Sequence, residues 1–121
     1  MTDPTPIRPP GADHLDDPLC QAVEQIGDRW MILIIGAAFA GTSRFDDFQR
    51  ELSVARNILS NRLRRLVDLD ILQKRPVREG ARRMQYALTD KGRALRETLN
   101  GMREWGDEWA ASEARREGGP V

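Results

Sequence analysis

One unbroken apolar segment, Trp30 to Ala40 closed by Gly41, constrains this chain more than any other feature. Its length exceeds a typical strand and its side chains are apolar all round, which predicts the central buried helix of a small domain. It falls short of the ~20 residues that cross a bilayer, so no membrane span is expected. A chain of 121 residues with 31% charged side chains has room for one such core, and not for a separate cofactor-binding domain.

The flanking segments predict the remaining elements. Residues 1–15, which include Pro4, Pro6, Pro9, Pro10 and His14, offer little apolar surface to bury and are expected to form a flexible arm with a solvated histidine. Prolines and acids stand there in place of the basic and then apolar stretch of an export signal, so a cytoplasmic location is expected. One cysteine and one histidine cannot make a four-ligand zinc site without carboxylates or a second chain, and neither metal nor cofactor is expected. Asp17 as N-cap and Pro18 at the first helical position open a helix with Leu19, Val23 and Ile26 on one face, stopped by Gly27. Asp28 caps the apolar helix. Phe45, Phe48 and Leu52 then space a two-turn helix over 45–52, and Ser53 and Val54 make a turn.

A net charge of zero argues against a nucleic-acid partner, but its distribution argues for one. Residues 56–93 hold eleven basic and four acidic side chains, an excess of seven positive charges, while the rest of the chain is acidic. A basic stripe confined to one structural unit is the footprint of a phosphate-binding surface. Within it, Leu59, Leu63 and Leu66 set the buried stripe of a helix over 56–69, widened by Ile58 and Leu69. The opposite face displays Asn57, Ser60, Asn61 and Arg64, with Arg56 and Arg65 at its margins. These side chains read bases and phosphates, arginine suiting guanine and asparagine adenine. The bland alternative is an ordinary solvated helix face. Such a face is usually richer in Glu and Lys, and here no acid appears before Asp68. A short helix, a tight turn and this helix make a helix-turn-helix.

After Asp70 the period changes to two. Ile71 and Leu72 begin a strand, residues 78–82 with Gly80 form a turn, and Met84, Tyr86 and Leu88 alternate on a second strand. The hairpin carries Lys74, Arg75, Arg78, Arg82 and Arg83, so a basic wing would follow the backbone or enter a minor groove. Pro76 suits a strand edge. Thr89 then caps a closing helix bearing Leu95, Leu99, Met102, Trp105 and Trp109, more apolar surface than one small domain can cover. The expected architecture is mainly α with a small β-hairpin: a winged helix-turn-helix domain over 16–110 with a C-terminal dimerisation helix and a flexible tail over 111–121.

The residues "IGDRWMILII" at 26–35, "RFDDFQREL" at 44–52, "LSNRLRRLVDLDIL" at 59–72, "YALTDKG" at 86–92, and Trp105 with Gly106 together resemble the HxlR-type winged helix-turn-helix transcriptional regulators, relatives of the MarR group. The resemblance implies a homodimer on a roughly palindromic DNA operator, the helix over 56–69 in the major groove, the hairpin as wing, and dimer contacts from the first and closing helices, at Leu19, Val23, Leu95, Leu99, Met102, Trp105 and Trp109. Three departures from the family pattern stand out. Its Cys-Pro pair is Asp17-Pro18 here, so the cysteine that often senses oxidants is absent, and Cys20 is expected to be a buried small hydrophobe rather than a redox sensor. Ala55 replaces a small polar N-cap, at a cost of ~1 kcal/mol. Asp70 replaces a glycine, and aspartate tolerates the left-handed conformation better than most residues.

The sequence thus predicts a DNA-binding regulator, a repressor acting by occupancy of double-stranded DNA. A winged helix that binds only another protein would want an apolar or acidic face where Asn57, Ser60, Asn61 and Arg64 stand. An enzyme is not expected, because no recognised motif groups Ser, His and Cys. Trp30, Phe39, Trp105 and Trp109 are candidates to line a small-molecule effector pocket at the dimer interface, against the commoner role of such aromatics as packing.

Overall fold

Residues 16–111 and 113 are described by the computed structural model, so the arm over 1–15 with His14, and the tail after Ala111 save Glu113, lie outside the described residues. The apolar segment is helix α2, Arg29–Phe39, started by Asp28, whose carboxylate accepts from the Trp30 and Met31 amides at 3.0 and 3.2 Å. Ahead of it stands α1, Pro18–Ile26, where Asp17 accepts from the Cys20 amide and Pro18 fills the first position, whose N–H would go unpaired in any case. After α2 come α3, Phe45–Leu52, and α4, Arg56–Asp68, then the antiparallel strands β1, Leu72–Pro76, and β2, Met84–Leu88, paired from Leu72↔Leu88 to Pro76↔Met84.

The core joins these elements around α2. Met31, Ile34 and Ile35 meet Phe48 of α3, Leu59, Leu63 and Leu66 of α4, and Val54, Ile71 and Leu72. Each large side chain buried here contributes roughly 1.5 to 3 kcal/mol of hydrophobic free energy, so the helical half is held by burial rather than by propensity. The helix is not buried all round, as its composition predicted. Leu33 is 39% exposed, and Ile32, Leu33, Gly36, Ala37 and Ala40 line an apolar groove with Leu52, Leu99 and Met102. A domain this small wraps only one side of its central helix.

The expected closing helix is two. Thr89 caps α5, Asp90–Arg93, by accepting from the Gly92 amide at 3.0 Å. The Leu95 amide then reaches Gly92 rather than Lys91, a tighter turn that redirects the chain into α6, Arg96–Trp105. A wider π-type turn, Gly106–Ala110, continues α6, with the Ala111 amide donating to Gly106. Gly92 is buried so closely that a Cβ would stand 2.3 Å from the Ile71 carbonyl oxygen, which pins α5 to the foot of the hairpin.

A two-stranded ribbon is marginal alone. Here the Tyr86 ring meets Phe48 edge-on at 6.4 Å, and the free edge of β2 is extended by one bond from the Tyr86 amide to the Ser43 carbonyl at 2.7 Å.

Candidate nucleic-acid interface

The turn joining α3 to α4 is short because Ser53 takes the left-handed conformation (φ 52°), Val54 plugs into the core and Ala55 starts α4 without a side-chain cap. The missing cap leaves the first amides of α4 open to solvent or to a ligand anion. On α4 the predicted faces are observed. Leu59, Leu63 and Leu66 are buried, while Arg56, Asn57, Ser60, Asn61, Arg64 and Arg65 are all exposed.

Arg56 is less free than its exposure suggests. Its guanidinium lies 4.6 Å over the Phe45 ring, donates to Gln49 at 3.2 Å and stands 3.5 Å from Asp46. The sequence reading passed over Arg62, which grips Asp28 through Nε at 2.9 Å and Nη2 at 3.2 Å and donates from Nη1 to Asn61 Oδ1 at 3.0 Å. The hydrogen bond from Arg62 holds the Asp28 carboxyl below the ordinary carboxylate range, helped by the two capping amides, and Asp28 in turn raises the Arg62 pKa. A signal for this pair existed. Arg62 falls at the edge of the buried stripe, three residues after Leu59 and four before Leu66, where a charge needs a partner.

At the far end of α4, Asp70 takes φ 62°, as an aspartate in a glycine place can. Lys91 donates to the Leu69 carbonyl at 2.7 Å and the Thr89 hydroxyl donates to the carbonyls of Asp70 and Ile71, so the helix end is tied to the hairpin foot. The wing loop closes with the Val77 amide on the Arg83 carbonyl at 2.9 Å and turns at Gly80, φ 79°. Arg78, Arg82 and Arg83 are exposed on it. Arg83 shares a cleft with Arg44, Phe45 and Arg56, so Arg44, at the start of α3 and not singled out from the sequence, joins the same surface. Among the described residues, ion pairs engage Arg56, Arg62 and Arg93 of the basic segment but none of Arg64, Arg65, Arg78, Arg82 and Arg83.

The remaining candidates are spread over the molecule. Leu19, Val23, Met102, Trp105 and Trp109 are 50–62% exposed, whereas Leu95 and Leu99 are half-buried against their own core. Trp30 and Phe39 stand at opposite ends of α2, and Phe39 lines a cleft with Arg75, Tyr86, Arg93 and Arg96 that neither Trp30 nor Trp105 enters. Cys20 is half-buried rather than buried, and its thiol pKa is raised by desolvation first, then by the carboxylates of Asp17 and Glu24. No helix among the described residues is long and apolar enough to cross a membrane.

A helix-turn-helix whose second helix presents an exposed outer face without an acid before Asp68, followed by a basic hairpin, defines a winged helix-turn-helix protein. The HxlR-like helix-turn-helix family model matches residues 25–114, and the chain belongs to that family. It is 39% identical over 101 residues to MT3179 of Mycobacterium tuberculosis, an uncharacterized HTH-type transcriptional regulator, covering 84% of this chain and 62% of that protein. The chain therefore spans less than two thirds of this relative's length. Among solved structures, the candidate transcription factor PA1607 superposes with a TM-score of 0.74 at 41% identity, over 78% of this chain and 66% of that one. The redox regulator HypR in its reduced form superposes with a TM-score of 0.68 at 27% identity, over 75% of this chain and 91% of that one.

Proposed function

We propose that this chain is a sequence-specific DNA-binding transcriptional regulator that acts in the cytoplasm as a homodimer and represses by occupying its operator. The observation that carries the reading is the outer face of α4, which holds no acid before Asp68 at its last position, beside a wing whose Arg78, Arg82 and Arg83 have no acidic partner among the described residues. With α4 in a major groove, Asn57, Ser60, Asn61 and Arg64 face base edges, and the wing follows the adjacent backbone. A surface meant for an apolar protein partner would not leave so many guanidinium groups uncompensated. The exposed apolar residues of α1 and α6 support a second copy as their cover, and a two-fold pair of α4 helices would read an inverted repeat with half-sites ~34 Å apart. Footprinting on the DNA flanking its own gene tests the reading: a protected inverted repeat supports it, and no binding to any genomic duplex at low salt overturns it.

A further inference from the structure

All three nitrogens of the Arg62 guanidinium are engaged, two on Asp28 and the third, Nη1, on Asn61 Oδ1. The anchor beneath them is firm, because Asp28 is held by the two capping amides of α2 and Arg62 is only 21% exposed. Asn61, one residue earlier, is exposed on the outer face. A guanidinium donates and never accepts, so the amide atom that meets it must be the carbonyl oxygen, and the Asn61 NH2 group is turned away from the clamp.

We propose that Arg62 is a positioning residue that fixes the polarity of the Asn61 amide, so that Asn61 presents two N–H donors to the groove and selects guanine rather than adenine. The proposal rests on the DNA-binding reading above. An asparagine reads adenine with both amide atoms at once, accepting from the N6 amino group and donating to N7. With a charged donor already on Oδ1, the oxygen is a poorer acceptor for a second partner and the N–H groups are better donors. Guanine offers two acceptors, N7 and O6, where adenine offers N7 beside a donor. Turning the amide over to suit adenine would set its NH2 against the guanidinium, donor against donor. The residue type of Asn61 alone thus points to adenine, and its neighbour reverses the preference.

The test combines selection from a randomised duplex library with nuclear magnetic resonance of the free protein, using the wild type, Asn61→Ala and Arg62→Lys. Lysine keeps the charge opposite Asp28 but cannot hold Asp28 and Asn61 together, so the fold is retained while the amide is released. The operator position whose preference disappears in Asn61→Ala should favour guanine over adenine by about tenfold in the wild type. In Arg62→Lys that ratio should fall by about fivefold or more at this position and at no other. In the free protein the Asn61 side-chain NH2 should be ordered in the wild type and mobile in Arg62→Lys. Adenine at the Asn61-dependent position, or an amide equally mobile in both proteins, overturns the proposal. If no duplex is enriched, the DNA-binding reading fails and takes the proposal with it, and an ordered amide then distinguishes that failure from an incorrect account of Arg62.

Discussion

Arg62 and Asp28, 34 residues apart, form a two-point ion pair that joins the middle of α4 to the first turn of α2. One carboxylate both caps a helix and fixes the angle of the helix packed across it. Asp28→Ala should therefore cost about 1 to 2 kcal/mol, the cap and the unpaired guanidinium together, discounted because the two side chains remain 33% and 21% exposed. The carboxyl titrates below its ordinary value in the folded chain, so its contribution is complete above about pH 4 and is lost as pH falls through the folded value. Urea unfolding should show the wild type losing more stability than Asp28→Ala on acidification below pH 4. Parallel pH profiles would show the pair to be energetically idle.

Gly92 and Gly101 should respond oppositely to alanine. At Gly92 a new Cβ would meet the Leu88 side chain at 3.0 Å and, more closely, the Ile71 carbonyl at 2.3 Å, backbone that can yield only by lifting α5 off the hairpin. A loss of about 1 to 3 kcal/mol is expected, read as a lower Tm. Gly101 lies inside α6 with nothing within 4 Å of its added methyl, and Gly101→Ala should gain up to about 1 kcal/mol. Equal effects at the two sites would contradict the packing described.

Much of this was legible in the sequence because periodicity speaks for single elements. The 4-then-3 spacing of Leu59, Leu63 and Leu66 gave both faces of α4, and the alternation of Met84, Tyr86 and Leu88 gave β2. What periodicity misses is contact between elements. The break at Ala94 and Leu95 comes directly after Gly92 closes on Ile71, a meeting of residues 21 positions apart. Arg62 could be placed at a stripe edge, but its partner could not be named from composition. The uncovered side of α2 escaped notice because an apolar run looks alike whether its own chain or a second copy covers it.

Cys20 should be a sluggish nucleophile. Desolvation and the nearby carboxylates of Asp17 and Glu24 raise its pKa, so little thiolate exists at neutral pH. Iodoacetamide should modify it more slowly than a free cysteine peptide at pH 7, and Cys20→Ser should leave DNA binding equally insensitive to mild oxidants. Oxidant-driven release that disappears in Cys20→Ser would reverse this and bring the chain closer to its redox-regulator neighbour.

Arg64 and Arg82 should separate specificity from affinity. Arg64 is exposed on the face of α4 proposed to read bases, so Arg64→Ala should cost ~1 to 3 kcal/mol against the preferred operator and much less against unrelated duplexes. Arg82 is exposed on the wing, proposed to follow the DNA backbone, and Arg82→Ala should weaken all duplexes alike and reduce the salt slope by about one. Titrations at several salt concentrations measure both. Identical losses across operator and random DNA for Arg64→Ala would remove α4 from the reading role.

The proposed homodimer is best tested by substitution rather than truncation. Leu95 and Leu99 pack against their own core, so ending the chain before them would unfold the domain and confuse assembly with stability. Met102, Trp105 and Trp109 are at least half exposed, and changing them leaves that core intact. If α6 and α1 meet their symmetry mates, the wild type should sediment as a dimer at micromolar concentration. Trp105→Ser with Met102→Ser should raise the dissociation constant by about tenfold or more, because exposed aromatic anchors carry most of an interface's energy. Thermal unfolding of the wild type should depend on protein concentration, as linkage to association requires, and that of the variant should depend on it less wherever the variant is dissociated. Affinity for an inverted repeat should drop towards that for a single half-site, while half-site affinity stays unchanged, since α4 and the wing are untouched. A wild type that sediments as a stable monomer, or a variant that keeps full affinity for the inverted repeat, would show that the exposed face of α6 serves some other partner.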